Sequence, residues 1–220
     1  MQIAPLHTAE EMQSFSNLAH RVEALILAVI AIAAFVESWG YLQHGWRRYL
    51  WPALVLLSGV FLILYLLIPY HGLDQMPSQW AFIFGDPQQR QHVVVALAAL
   101  GAGVAELHSR HIIPLKGRTA LIFPLVLLGV GLMFVLHKQH GTDEAVRQAQ
   151  LIHRYLGLSL IAAGLLRSVE VSKLGRQRWL GSSWSLALLA AAILLGVYRE
   201  PKGAYIMGHP HPADTTSLSP

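Results

Sequence analysis

Twelve histidines and no cysteine confine any metal chemistry in this chain to imidazole, carboxylate, thioether and water ligands. A neutral imidazole nitrogen suits copper, zinc, iron and nickel alike. His20, His92 and His153 stand where three apolar stretches begin, and His71, His137 and His140 where two others finish. If those stretches cross a membrane in alternation, all six histidines reach one aqueous face. His137 and His140 form an HxxH pair on neighbouring positions of a helical turn, and Glu23 follows His20 by three residues on the same helical side. Asp74, Met76, Asp143 and Glu144 lie in the adjoining loops, as further ligands or as acceptors that fix imidazole tautomers. One histidine at a membrane interface is ordinary, and six on one face predict a metal centre. Its core is expected to be His20, His92, His137 and His153, with His71, His140 and Glu23 beside them.

Depth separates an ion from a haem. A transmembrane haem b needs two histidines on facing helices inside the bundle, and His92 with His153 or His20 with His137 are the available pairs. These residues stand at the first or last apolar position of their stretches, as in Gln91-His92-Val93, which favours an ion. Copper fits an oxidising outer face best, with zinc and non-haem iron as alternatives. On the opposite face, Glu37, Glu106 and Glu170 recur at helix ends. Acids there either line a pathway through the membrane or pair with Arg47, Arg110 or Arg167.

The elements that position these residues follow from composition. Of 220 residues, 54% are hydrophobic and 13% charged, where a soluble domain carries about a quarter charged residues. Six apolar runs, at roughly 18–39, 49–70, 92–109, 119–137, 151–171 and 179–198, have the length a helix needs to cross the hydrocarbon core. Lipid leaves helices as the only spanning element for runs this long. The fold class is therefore an all-α integral membrane protein with six transmembrane helices. Residues 1–17 read as an outer amphipathic segment without the layout of a signal peptide, where Thr8 and Glu11 suggest a capping box. Residues 18–200 form the membrane domain. Residues 201–220, rich in Pro, Ser and Thr and carrying His209 and His211, read as a flexible outer tail.

Nine of the sixteen Lys and Arg residues fall in the three short loops 1–2, 3–4 and 5–6. The positive-inside rule then places both termini outside, in the periplasm of a bacterial inner membrane. The charge balance of +4 speaks to topology and gives no sign of nucleic-acid binding. An internal repeat is also visible: His20 precedes Pro52 by 32 residues and His92 precedes Pro124 by 32, within WPALVLLSG and FPLVLLGVG. Glu37 follows His20, and Glu170 follows His153, by 17 residues. Repeated helical hairpins are the expectation, and they would gather the histidine ends around one axis.

A multi-helix bundle with His20, His92, His137 and His153 at its outer helix ends resembles the copper-resistance CopD family of bacterial inner-membrane proteins. That resemblance implies copper handling between periplasm and cytoplasm. A second resemblance, to membrane cytochromes b, implies a haem-binding electron-transfer subunit. The expected function is copper uptake, storage or delivery at the periplasmic face, with a periplasmic metal carrier or a larger membrane enzyme complex as partner. The alternatives are the haem subunit, an accessory subunit with structural histidines, and a metal-dependent membrane oxidoreductase. No nucleotide-binding glycine loop, hydrolase nucleophile elbow or HExxH signature occurs.

Overall fold

The computed structural model describes residues 9–67, 76–111, 118–136, 142–172, 178–202 and 204. Within them the chain forms seven helices: α1 (Ala9–Ser38), α2 (Leu50–Leu67), α3 (Met76–Gly85), α4 (Pro87–His111), α5 (Ile122–Val135), α6 (Asp143–Val171) and α7 (Arg178–Val197). Five segments are long and apolar enough to span a bilayer, namely Glu10–Ser38, Gly45–Leu67, Gln89–Arg110, Asp143–Val171 and Arg178–Val197. The apolar segment Thr119–Val135 is shorter. The chain is a multi-pass, all-α membrane protein.

Several boundaries differ from those expected of apolar runs: α1 begins at Ala9, ahead of the run at 18–39, and α4 at Pro87, ahead of the run at 92–109. α6 begins two turns before its apolar stretch, because Thr142 accepts a hydrogen bond from the Ala145 amide (3.3 Å) and Asp143 and Glu144 occupy the first turn. Each favours the positive end of the helix dipole. α3 is an addition. With ten residues it is too short to span a membrane, and it packs beside α4 and α2.

The other six helices close a ring. In order around it, α1 meets α2, α2 meets α4, α4 meets α5, α5 meets α6, α6 meets α7, and α7 returns to α1. The seams α2/α4, α5/α6, α6/α7 and α7/α1 are extensive, whereas α1/α2 and α4/α5 are thinner. Lipid is as apolar as a leucine core, so close backbone approach through small residues has to hold such seams. A Cβ on Gly59 would lie 2.7 Å from the Leu100 nitrogen, and one on Gly103 would lie 2.6 Å from the Leu56 nitrogen. At α5/α6, a Cβ on Gly131 would meet the Gly157 carbonyl oxygen at 2.7 Å, and one on Gly164 the Pro124 oxygen at 2.9 Å.

The two seams use matching positions. Gly59 and Gly131 each follow their proline (Pro52, Pro124) by seven residues, and Gly103 and Gly164 each follow their histidine (His92, His153) by eleven. The third seam has Gly196 against Ala24, the residue four after His20, with a built Cβ at 3.4 Å. Leucines such as Leu25, Leu57, Leu97, Leu125 and Leu158 are exposed around the outside, as a lipid-facing surface requires. Trp39, Tyr41, Trp46 and Trp179 are exposed near the arginine-rich end, the level at which aromatic rings favour the interface.

The described ends of the chain meet at the opposite, histidine end. The Gln13 amide donates to the Glu200 carbonyl (2.6 Å), the Glu200 amide donates to Asn17 Oδ1 (2.8 Å), and the Ser16 hydroxyl donates to Glu200 Oε2 (3.4 Å). Glu200 is buried, and desolvation raises its carboxyl pKa against the opposing pull of hydrogen bonds from Tyr198 and Ser16. A raised folded-state pKa means that the docked segment holds its proton better than the free chain. This contribution is complete below the ordinary carboxylate range and is lost as pH rises through the folded pKa. Thermal unfolding of the wild type is expected to occur at a lower midpoint at about pH 8 than at about pH 5. Glu200→Gln should flatten that difference, and an unchanged slope in the variant would show that the Glu200 carboxyl does not carry it.

Candidate functional site

A central cavity of about 170 Å³ lies inside the ring and takes lining residues from all six ring helices. Its walls follow the helical repeat. His20, Glu23, Leu27 and Ile30 face it from α1, and His92, Val95, Ala99 and Ala102 from α4. α6 contributes His153, Leu156 and Leu160. The three histidines and Glu23 stand at one end, and the rest is aliphatic or aromatic apart from Ser58.

The polar end is specific in its geometry. The Ser58 hydroxyl donates to Glu23 Oε2 (2.8 Å), which ties α2 to α1. Glu23 Oε1 and His20 Nδ1 are shielded from solvent and have no hydrogen-bond partner among the described residues. His153 Nδ1 donates to the Ala149 carbonyl (2.8 Å), so in the neutral ring Nε2 is the acceptor. The His153 ring stacks on Phe134 with centroids 5.6 Å apart. The Tyr198 ring lies 5.1 Å from that of His20 and 5.6 Å from that of His153.

This arrangement overturns the metal centre. Among the described residues no group of three or more His, Asp or Glu side chains is placed to hold an ion. Tyr198 packs against both His20 and His153, His153 is committed to a backbone carbonyl, and Glu23 to Ser58. The imidazoles therefore border a common space without converging on a point. Copper handling at His20, His92, His153 and Glu23 is not supported, nor is zinc or iron there, nor a metal-dependent oxidoreductase. Haem b fails on size, since about 170 Å³ is close to the roughly 150 Å³ that accommodates a single benzene ring. His71, His137 and His140, with Asp74, lie outside the described residues.

The three inner acids do come together, through two arginines. Arg110 donates to both oxygens of Glu37 (2.5 and 3.0 Å) and through Nε to Glu106 (3.3 Å). Arg167 donates to Glu106 (2.9 Å) and Glu170 (2.5 Å). Helices α1, α4 and α6 are thereby joined at the arginine-rich end. The Trp51 indole N–H donates to Glu37, and the Arg48 carbonyl accepts from Arg110. Arg110 lies over the Trp51 ring at 4.7 Å and Arg167 over Trp184 at 5.1 Å, each a cation–π contact. Arg47 takes no part in this network.

Between the network and the central cavity sits an aromatic layer. Trp51, Phe123 and Trp184 are buried and mutually in contact, with centroids 5.1, 5.5 and 5.9 Å apart. Phe123 lines the central cavity, and Trp184 lines a second, polar cavity on the other side. Sequence reading missed this layer and Ser58, and it placed Tyr198 only where the other hairpins end in histidine, without its contacts to His20 and His153. The one signal was the aromatic-proline step repeated at Trp51-Pro52 and Phe123-Pro124.

Comparison with models of protein families, with curated proteins and with solved structures gives no match in any of the three.

Proposed function

We propose that this chain binds a small lipid-soluble molecule whose head is a single ring bearing hydrogen-bonding oxygens, a benzoquinone or phenol in chemical class. The observation that carries this reading is the central cavity: ring-sized, apolar along its length, and provided at one end with a buried imidazole nitrogen and a carboxylate oxygen that lack partners among the described residues. A buried polar atom without a partner costs about 1–3 kcal/mol, and a ligand oxygen or hydroxyl would remove that penalty at His20 and Glu23. His92 and His153 flank the same end. Leu27, Val55, Leu127 and Leu160 would enclose the ring. Small-molecule sites are commonly apolar with a few placed polar groups, as here.

The ring of six helices is read as three repeated hairpins, α1–α2, α4–α5 and α6–α7. Matching histidine, proline and glycine positions support this. The histidine end is read as the outer face of a bacterial inner membrane, because the cations concentrate in the opposite loops. The thin seams α1/α2 and α4/α5 are the places for a hydrocarbon tail to leave the cavity into lipid.

Titration of the purified chain with a short-tailed benzoquinone, followed by quenching of tryptophan emission, tests this reading. Saturable one-to-one binding is expected. His20→Ala and Glu23→Gln should each weaken it about tenfold, the equivalent of one hydrogen bond to a buried or charged group. Non-saturable partitioning, or variants that bind as the wild type does, would overturn the assignment.

A further inference from the structure

The polar cavity at the arginine-rich end has no part in the central site. Its volume is about 470 Å³, and its lining includes Glu37, Gln43, Arg110, Arg167, Glu170 and Arg178. Two carboxylates (Glu37, Glu170) and three guanidinium groups (Arg110, Arg167, Arg178) line it, and Glu106 lies behind them on Arg110 and Arg167. A site that presents both signs side by side offers partners to a ligand that carries both.

The unused hydrogen-bonding capacity is of both signs too. Arg167 Nε is shielded from solvent with no partner among the described residues. Arg178 lines the cavity and makes no ion pair among the described residues. Its guanidinium is available to an anionic oxygen in the bidentate geometry that suits phosphate or carboxylate. Both oxygens of Glu37 are occupied, whereas Glu170 gives only Oε2 to Arg167. Glu170 Oε1, which lies beside Gly181 (a built Cβ there would be 2.7 Å from it), accepts no hydrogen bond among the described residues and is the acceptor left for an ammonium group. Gly40 and Gln43, in the link after α1, form part of the wall, and exposed Trp39 and Trp179 mark the interface beside it.

We propose that this inner cavity binds a zwitterion with an ammonium group and a phosphate a few ångströms apart, the chemistry of phosphoethanolamine. Arg178 holds the phosphate at the rim, and Glu170 holds the ammonium within. The inference is independent of the reading of the central cavity and uses none of its residues. The source is either the head group of an inner-leaflet lipid or a soluble phosphoethanolamine ester, which the test separates.

Native mass spectrometry of the full chain, equilibrated with equal phosphatidylethanolamine and phosphatidylglycerol, reads lipid retention. Tryptophan emission during titration with glycerophosphoethanolamine reads the soluble source. Retention of phosphatidylethanolamine at about fivefold over phosphatidylglycerol, or saturable binding of the soluble ester, supports the site. Arg178→Ala is expected to reduce the retained or bound species about tenfold with an unchanged unfolding midpoint, and Arg178→Lys to retain most of it. Equal retention of the two lipids together with no response to the ester overturns the proposal, as does an Arg178→Ala variant that binds like the wild type.

Discussion

Replacing Gly157 with leucine should prevent stable folding, whereas replacing Gly129 with alanine should leave the bundle intact and slightly firmer. A Cβ on Gly157 would lie 2.5 Å from the Gly131 carbonyl oxygen and 3.0 Å from the Val135 nitrogen. Both are backbone atoms of α5, so no side-chain rotation relieves the clash. Overpacking costs about 1–3 kcal/mol where the surroundings adjust. Here α5 and α6 must separate along their whole seam, and Gly157→Ala alone should reach the top of that range. At Gly129, a Cβ meets nothing within 4 Å, and alanine gains up to about 1 kcal/mol of helix propensity. Thermal unfolding in detergent, read by size-exclusion fluorescence, distinguishes the two. A Gly157→Leu protein that elutes and unfolds like the wild type would contradict the described α5/α6 contact.

Glu106→Ala should be the most damaging change at the arginine-rich end, at about 3–5 kcal/mol, because removing one partner of a buried ion pair leaves the other charge uncompensated. Glu106 is 3% exposed and accepts from Arg110 and Arg167. Without it Arg167 retains only Glu170, and the tie from α4 to α6 is gone. Glu144→Ala is the matched control, since Glu144 is exposed and its one hydrogen bond among the described residues is from Gln148 one turn on. Denaturant unfolding should separate the two variants clearly. A Glu106→Ala midpoint within error of the control would mean that the network contributes little to holding the helices together.

Much of the fold was legible because a bilayer simplifies the reading. Apolar runs of spanning length identify helices, and the distribution of Lys and Arg separates the two ends. The equal spacing from histidine to proline was visible, although the matching glycines at Gly59, Gly103, Gly131 and Gly164 were not recognised. α3 escaped because ten residues with mixed polarity give no spanning signal. His20, His92 and His153 do share one end of the central cavity, and their chemistry was misjudged. Helix-end position places His20, His92 and His153 near one another. Whether their rings converge depends on Tyr198, which follows α7 and returns from the far end of the sequence to pack against two of them. The acids show the reverse. Glu37, Glu106 and Glu170 were paired with nearby arginines one by one, yet Arg167 reaches Glu106 from 61 residues away and makes them a single unit.

Closure of the ring also dictates an order of manufacture. The α7/α1 seam joins the latest-made of the described helices to the earliest, so α1 enters the bilayer with Ala24 and its neighbouring face uncovered until Arg178–Val197 has been synthesised. The growing chain therefore passes through an open horseshoe of five ring helices. Its gap exposes α1 on one lip and α6 on the other. A chain halted before Arg178 stays in that form, with two sticky lips and an unroofed cavity facing lipid. The docking of Glu200 on Gln13 and Asn17 is then the latch that marks a closed ring.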